Sequence, residues 1–437
     1  MPVDFLTKVL YEGTDVIPAW EALKTYGPVV LTLAGLKYYF RGATNTWERD
    51  LHGKVFMITG GTSGVGATVA YELASKGAQV ILLVRSTEDA WTVDFVEDMR
   101  EKTDNFMIYA EQCDLASLWS IRQFATKWLD NQPPRRLDGV ICCAADLTPR
   151  GKPRQVTQDG IETQLGTNYF GHFHLLTLLS PSLRVQPPDR DVRVVLASCS
   201  SHLLGDVNLA DLAWEKDYPI NQPWKVYGTS KLLLGLFAKE FQKQLVNYER
   251  KDKAPCNVRI NLVNPGLMRT PSTRRFFSMG SILGLILYVL LWPVWFIFLK
   301  STSGGSQPLL FAVMAPVLAK MDGGKMIQEC KIATKLRKEY DDEELQQKVF
   351  EETERLIEKW EKQSAIERNK NKKTKTAKKK PTNIYEKPNT IEELDEKMES
   401  LRSQVGIPVS AKGEMPLFPD PNADMTTRSR KKANRKA

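Results

Sequence analysis

Apolar residues follow two alternating rhythms between residues 51 and 270. Short, near-continuous runs at 54–59 (KVFMIT), 79–84 (QVILLV), 107–113 (MIYAEQC), 137–144 (LDGVICCA), 192–197 (VRVVLA) and 259–263 (RINLV) read as strands. Between them apolar residues recur at helical spacing, as in 66–76 and 118–129. Strands rich in Val, Ile and Leu that alternate with helices predict an α/β fold, a doubly wound parallel sheet covered on both faces.

Three segments break that rhythm. Residues 276–299 (FFSMGSILGLILYVLLWPVWFIFL) carry no charge between Arg275 and Lys300. About 20 apolar residues suffice to cross a bilayer, so this run predicts a hydrophobic membrane segment. Pro293 lies inside it and allows a bend, which leaves a hairpin in one leaflet open beside a straight span. A buried soluble helix is the third reading. Residues 28–40 (PVVLTLAGLKYYF) are too short to span, but end in the basic and aromatic residues that suit a membrane interface. A helix packed on the body fits them equally. The first 26 residues lack the layout of a cleaved targeting signal. Beyond 331 the chain is charge-rich, with Leu345, Val349, Leu356 and Trp360 at helical spacing. Residues 369–380 (NKNKKTKTAKKK) are predicted to be disordered, Ile391 to Leu401 to form a short amphipathic helix, and 428–436 are basic again. The expected organisation is a leader with an interfacial helix at 1–50, a nucleotide-binding domain at 51–275, the hydrophobic segment at 276–299, a return to the domain at 300–330, and a charged, partly disordered C-terminal tail at 331–437.

Charge sharpens this division. Residues 331–437 hold 26 basic and 20 acidic side chains and so carry +6 of the total +9. The near-neutral body argues against nucleic acid as a partner. The basic runs of the tail suit anionic lipid head groups. None of the six cysteines forms a CxxC pair, which predicts reduced thiols on the cytosolic side of a membrane. No His, Cys or carboxylate set has metal-ligand spacing, so no metal is expected.

Two motifs carry chemistry. Thr59-Gly60-Gly61-Thr62-Ser63-Gly64-Val65-Gly66 follows a strand and opens a helix. Glycines there let backbone N–H groups approach a diphosphate, and the helix N-terminus adds positive potential. Arg85, after the second strand, stands where an acidic residue would bind a free ribose hydroxyl; a guanidinium can pair with a 2′-phosphate instead. Tyr227 and Lys231 lie four residues apart, on one face of a helix. A neighbouring ammonium is expected to lower the phenol's pKa from its usual value near 10.

These motifs, in this order over about 51–270, resemble the short-chain dehydrogenase/reductase family. The likeness is greatest to its retinol dehydrogenase-like branch and to fungal lipid-droplet oxidoreductases of that branch. The resemblance implies a Rossmann-like fold and a nicotinamide cofactor, NADP(H) in preference with NAD(H) also usable. It implies that Gly60, Thr62, Ser63, Gly64, Val65 and Gly66 hold the cofactor, with Arg85, Asp114 and Ala144 around the adenosine side. Pro265, Gly266 and Thr270 would meet the nicotinamide, as would Tyr227 and Lys231. It makes Tyr227, Lys231 and Asn168 catalytic. The family's serine is ambiguous here: an ungapped match puts Cys199 at its place, and a one-residue shift brings in Ser198 or Ser200. The family's Asn-Asn-Ala-Gly after strand four is Cys142-Cys143-Ala144-Ala145.

The expected function is therefore interconversion of a lipophilic alcohol and its carbonyl compound, retinoid-, sterol- or fatty-alcohol-like. The expected place is a lipid droplet or the endoplasmic reticulum membrane, with a homodimer left open. The competing expectation is a weakly active or inactive cofactor-binding scaffold on the same membranes.

Overall fold

The computed structural model describes residues 19–378 except 251, together with 7, 10, 11 and 13, with side chains through 370. Ahead of the sheet lies α1 (Trp20–Arg41). The six apolar runs then become β1 (Val55–Thr59), β2 (Gln79–Val84), β3 (Ile108–Gln112), β4 (Gly139–Cys142), β5 (Val192–Ala197) and β6 (Val258–Asn264). They interleave with α2 (Gly64–Ser75), α3 (Ala90–Thr103), α4 (Leu118–Leu129), α5 (Gly171–Arg184) and α6 (Pro223–Asn247). After β6 come α7 (Pro271–Phe277), α8 (Ile282–Leu290), α9 (Trp292–Phe298) and α10 (Thr302–Met314). Two short strands, β7 (Lys325–Gln328) and β8 (Lys331–Ile332), and a long helix α11 (Glu343–Lys378) follow.

The strand order is β3-β2-β1-β4-β5-β6-β7-β8. Strands β1 to β7 pair in parallel, and β8 closes the edge antiparallel to β7. Each face of the sheet has its own core. Phe173, Leu233 and Phe237 belong to one, and Val69, Leu73 and Val313 to the other. The order reverses between β1 and β4, and ligands of such sheets bind in the crevice beyond the strand ends at that point. Strands β7 and β8 escaped the sequence reading because they are too short to carry an apolar run.

The hydrophobic segment is not one helix. Thr270 caps α7 by accepting from the Thr273 N–H, and Pro271 starts it. Gly280, at φ +64°, turns the chain, and Ser281 caps α8. Pro293 sits in the first turn of α9, and Ser301 caps α10. These start signals divide the run, and α7 and α8 meet at 109°. No single helix among the described residues is long and apolar enough to cross a membrane. The two ends of the excursion are tied together, since Arg269 N–H donates to the Lys300 carbonyl (2.9 Å) and Lys300 N–H to that of Leu267 (3.0 Å). The straight span is thus replaced by a loop of short helices that leaves and rejoins the body at one point. Nor is the run a buried helix, because Ile282, Leu283 and Leu290 are 81%, 78% and 72% exposed. Helix α1 packs against it: Phe40 meets Phe298 edge-on at 5.1 Å, and the Lys37 ammonium lies 4.4 Å from the Phe296 ring centre.

The compact unit extends past 330, to Asn369. Tyr340, Phe350, Ile357 and Trp360 are buried in the same core as Phe173. Arg122 on α4 grips Glu361 with two hydrogen bonds of 2.7 Å. Burial opposes the Glu361 charge, but His174 and Arg122 outweigh it and hold the carboxyl at about 2. The backbone continues as helix to Lys378, through most of the 369–380 run expected to be disordered. The expected helix from 391 and the basic end at 428–436 lie outside the described residues.

Candidate active site

The end of β1 and the start of α2 form the glycine turn. Gly60 and Gly64 have φ of +65° and +58°, which disfavour any side chain. A Cβ on Gly60 would stand 2.7 Å from the Ala144 Cα. The turn therefore presses against the strand-four loop with bare backbone, and Ser63 precedes the N-terminus of α2. Thr270 lies across from it, with its methyl carbon 3.6 Å from where a Gly64 Cβ would be. Gly266, at φ +81°, makes the bend after β6 that follows Pro265, and its N–H donates to the Asn264 side chain. A dinucleotide fits this cradle, because backbone N–H groups line it where a Cβ would clash.

A cavity of about 710 Å³ opens beside the turn. Ser63, Arg85, Asp146, Leu147, Ile282 and Leu285 are among the residues that line it. The Asp114 carboxylate accepts from the Ala116 N–H, so it shapes its own loop.

Tyr227 and Lys231 share one face of α6, with the ammonium 5.7 Å from the phenol ring centre. Lys231 is 2% exposed and donates to the Ala197 carbonyl at 2.9 Å. Burial lowers its pKa, against the opposing pull of the Cys199, Cys143 and Cys142 thiols. The Tyr227 phenol departs from expectation: burial holds it well above its ordinary value, and Cys199 and Asp146 push it the same way. The expected depression does not prevail: burial is the larger influence on the phenol.

The serine candidates follow the end of β5. Ala197 pairs with Val263 and the Ser198 N–H donates to the Val263 carbonyl (2.8 Å), so the end of β5 does not slip. The Ser198 hydroxyl is buried without a partner. The Ser200 hydroxyl accepts from Asn264 at 3.1 Å. Cys199 is close enough to the Tyr227 phenol to raise its pKa, and its sulfur is 2.6 Å from Ser201 Oγ. Of the three candidates, Cys199 is the one whose side chain acts on the Tyr227 phenol.

Asn168 is fully buried in a π-helical stretch, Gly166–Phe170. Its amide clamps the strand-four loop, accepting from Asp146 N–H (2.7 Å) and donating to the Asp146 carbonyl (2.9 Å) and Ser230 (3.3 Å). Sequence reasoning missed the support beneath it. His172 Nδ1 donates to the Asn168 carbonyl (3.1 Å), which leaves the neutral ring's Nε2 to accept from Thr59 Oγ1 (2.9 Å). Thr59 Oγ1 accepts in turn from the Ala144 N–H (3.2 Å). Burial keeps the imidazole neutral, with a pKa of about 4. One buried chain thus links the glycine turn to the asparagine. The i,i+4 spacing of Asn168 and His172 was its only sequence trace.

Comparison with known proteins agrees with this geometry. A family described as short chain dehydrogenase matches residues 54–201. An uncharacterized oxidoreductase of Saccharomyces cerevisiae is 46% identical over 85% of this chain and 96% of its own length. Retinol dehydrogenase 13 of Homo sapiens is 31% identical over 77% of this chain and 94% of its own. A crystal structure of an uncharacterized protein from Mycobacterium Paratuberculosis has a TM-score of 0.51 at 25% identity, over 72% of this chain and 98% of that one. The chain belongs to the short-chain dehydrogenase/reductase family, in its retinol dehydrogenase-like branch, and is an oxidoreductase that acts on CH–OH groups with NAD(P).

Proposed function

We propose that this enzyme interconverts a lipophilic alcohol, retinoid-, sterol- or fatty-alcohol-like, and its carbonyl compound. NADP(H) is the preferred carrier, and the site of action is a lipid-droplet or endoplasmic reticulum surface with the catalytic body toward the cytosol. The observation that carries the reading is the shared cavity: Ser63 and Arg85 line it together with Ile282 and Leu285 of the exposed apolar excursion. A polar nucleotide and a lipid-facing helix thus meet in one space. Named relatives point the same way, since retinol is itself a lipophilic alcohol.

When bound, the nicotinamide exchanges hydride with the carbonyl carbon. The protein handles the proton. The Tyr227 phenol, kept protonated by burial, donates to the substrate oxygen in reduction and recovers the proton in oxidation. Cys199 supplies a second, weaker donor beside it. Lys231 is fixed beneath the ring by the Ala197 carbonyl, and Asn168 holds the Asp146 loop against α6. Arg85 lines the cavity, and a guanidinium there would pair with a 2′-phosphate, which supports NADP(H) over NAD(H).

The test is turnover of NADPH by full-length protein with retinal in vesicles, beside flotation of the protein with those vesicles. Turnover with NADPH above NADH, and flotation with the membrane, support the reading. The specific observation favouring a scaffold is that Cys199, not a serine, acts on the Tyr227 phenol. Retained NADP⁺ binding without turnover of retinal, a sterone or a fatty aldehyde decides for the scaffold.

A further inference from the structure

Two uncompensated cations line the cavity. The Arg85 and Arg274 side chains have neither a hydrogen bond nor an ion pair among the described residues. The carboxylate in the lining, Asp146, is already engaged by Arg275 at 3.2 Å. Arg274 is thus a free guanidinium facing a cavity whose negative group has been taken by its neighbour.

Its position on the chain says which anion it meets. Helix α7 is capped by Thr270, which lies against Gly64 of the glycine turn. Arg274 follows one turn later, its N–H donating to the Thr270 carbonyl (3.0 Å). The guanidinium therefore lines the same cavity as Ser63 of the glycine turn, and so does Arg85 from the end of β2. A guanidinium offers paired N–H donors matched to phosphate oxygens. We propose that Arg274 is a cofactor-binding residue that grips the diphosphate together with the glycine turn, so that the nucleotide joins the catalytic body to the apolar excursion.

This rests on the dinucleotide site described above, and the experiment separates the two. Affinities of full-length protein in detergent for NADP⁺ and NAD⁺ are measured by calorimetry for wild type, Arg274→Gln, Arg274→Lys and Arg85→Gln. Thermal unfolding without nucleotide serves as the fold control. Both nucleotides contain the diphosphate, so Arg274→Gln should weaken both by a similar factor, about tenfold or more, with partial recovery in Arg274→Lys. Arg85→Gln should weaken NADP⁺ alone. Unchanged affinities in Arg274→Gln overturn the proposal, as does a loss confined to NADP⁺, which moves the contact to the 2′-phosphate. Arg274→Gln that loses binding to phosphatidylglycerol vesicles but keeps nucleotide affinity assigns the guanidinium to a lipid phosphate and also overturns it. Wild type that binds neither nucleotide refutes the cofactor site itself.

Discussion

His172→Leu tests the buried chain that underlies the site. In the folded protein the imidazole is neutral, with a pKa of about 4 against 6.5 in the unfolded chain. Between those values the unfolded state binds more protons than the folded one. Stability therefore rises with pH across this window, is fully present above 6.5, and is lost as pH falls toward 4. Integrated from pH 7.5 to 5, this single group accounts for about 2 kcal/mol. Leucine removes the titration, but takes one donor from the Asn168 carbonyl and leaves the Thr59 O–H without its acceptor, while Thr59 Oγ1 still accepts from the Ala144 N–H. An unmet buried donor costs about 1–3 kcal/mol. His172→Leu should thus be less stable at pH 7.5 and lose less on going to pH 5, so that the gap between the two proteins narrows by about 2 kcal/mol. Urea unfolding followed by tryptophan fluorescence at both pH values measures this, with carboxylates common to both proteins cancelling. An unchanged gap would refute the neutral-histidine argument.

Cys199→Ser restores a hydroxyl beside Tyr227 and should raise the reductive kcat by roughly fivefold to tenfold, a gain of about 1 kcal/mol at the transition state; steady-state kinetics showing a loss would place the substrate oxygen elsewhere. Truncation before 338 strips Tyr340, Phe350 and Trp360 from the core and should abolish soluble folding, whereas truncation after 369 should leave the melting temperature within a few degrees of wild type. Deleting 276–299 and closing the tied ends at Arg269 and Lys300 should release the protein from vesicles and cut turnover of retinal more than that of a short water-soluble aldehyde. Flotation and substrate competition check both effects.

The sheet was legible because its strands are buried on both faces, and a continuous Val/Ile/Leu run carries that information locally. Strands β7 and β8 and the docking of α11 were not, since they depend on distant partners. Phe350 and Trp360 look like one face of a charged helix until Phe173, Phe237 and Phe170 are placed against them. The apolar run was read as a membrane segment, straight or bent into a hairpin, but its caps at Thr270, Ser281 and Ser301 were overlooked, and these break it into a returning loop of short helices. Tyr227 and Lys231 were visible from spacing alone. The direction of the phenol's shift was not, because burial is a property of the folded site. Which of Ser198, Cys199 and Ser200 acts on the phenol likewise needed the folded site.

The central claim is that the Tyr227 phenol gives the proton while hydride leaves the bound nicotinamide. Its most direct test is single-turnover oxidation of NADPH by Tyr227→Phe with retinal in vesicles, beside NADP⁺ affinity. The account predicts a fall in the rate of at least about a hundredfold, with nucleotide affinity within a factor of about three. A Tyr227→Phe enzyme that turns over at the wild-type rate would contradict it.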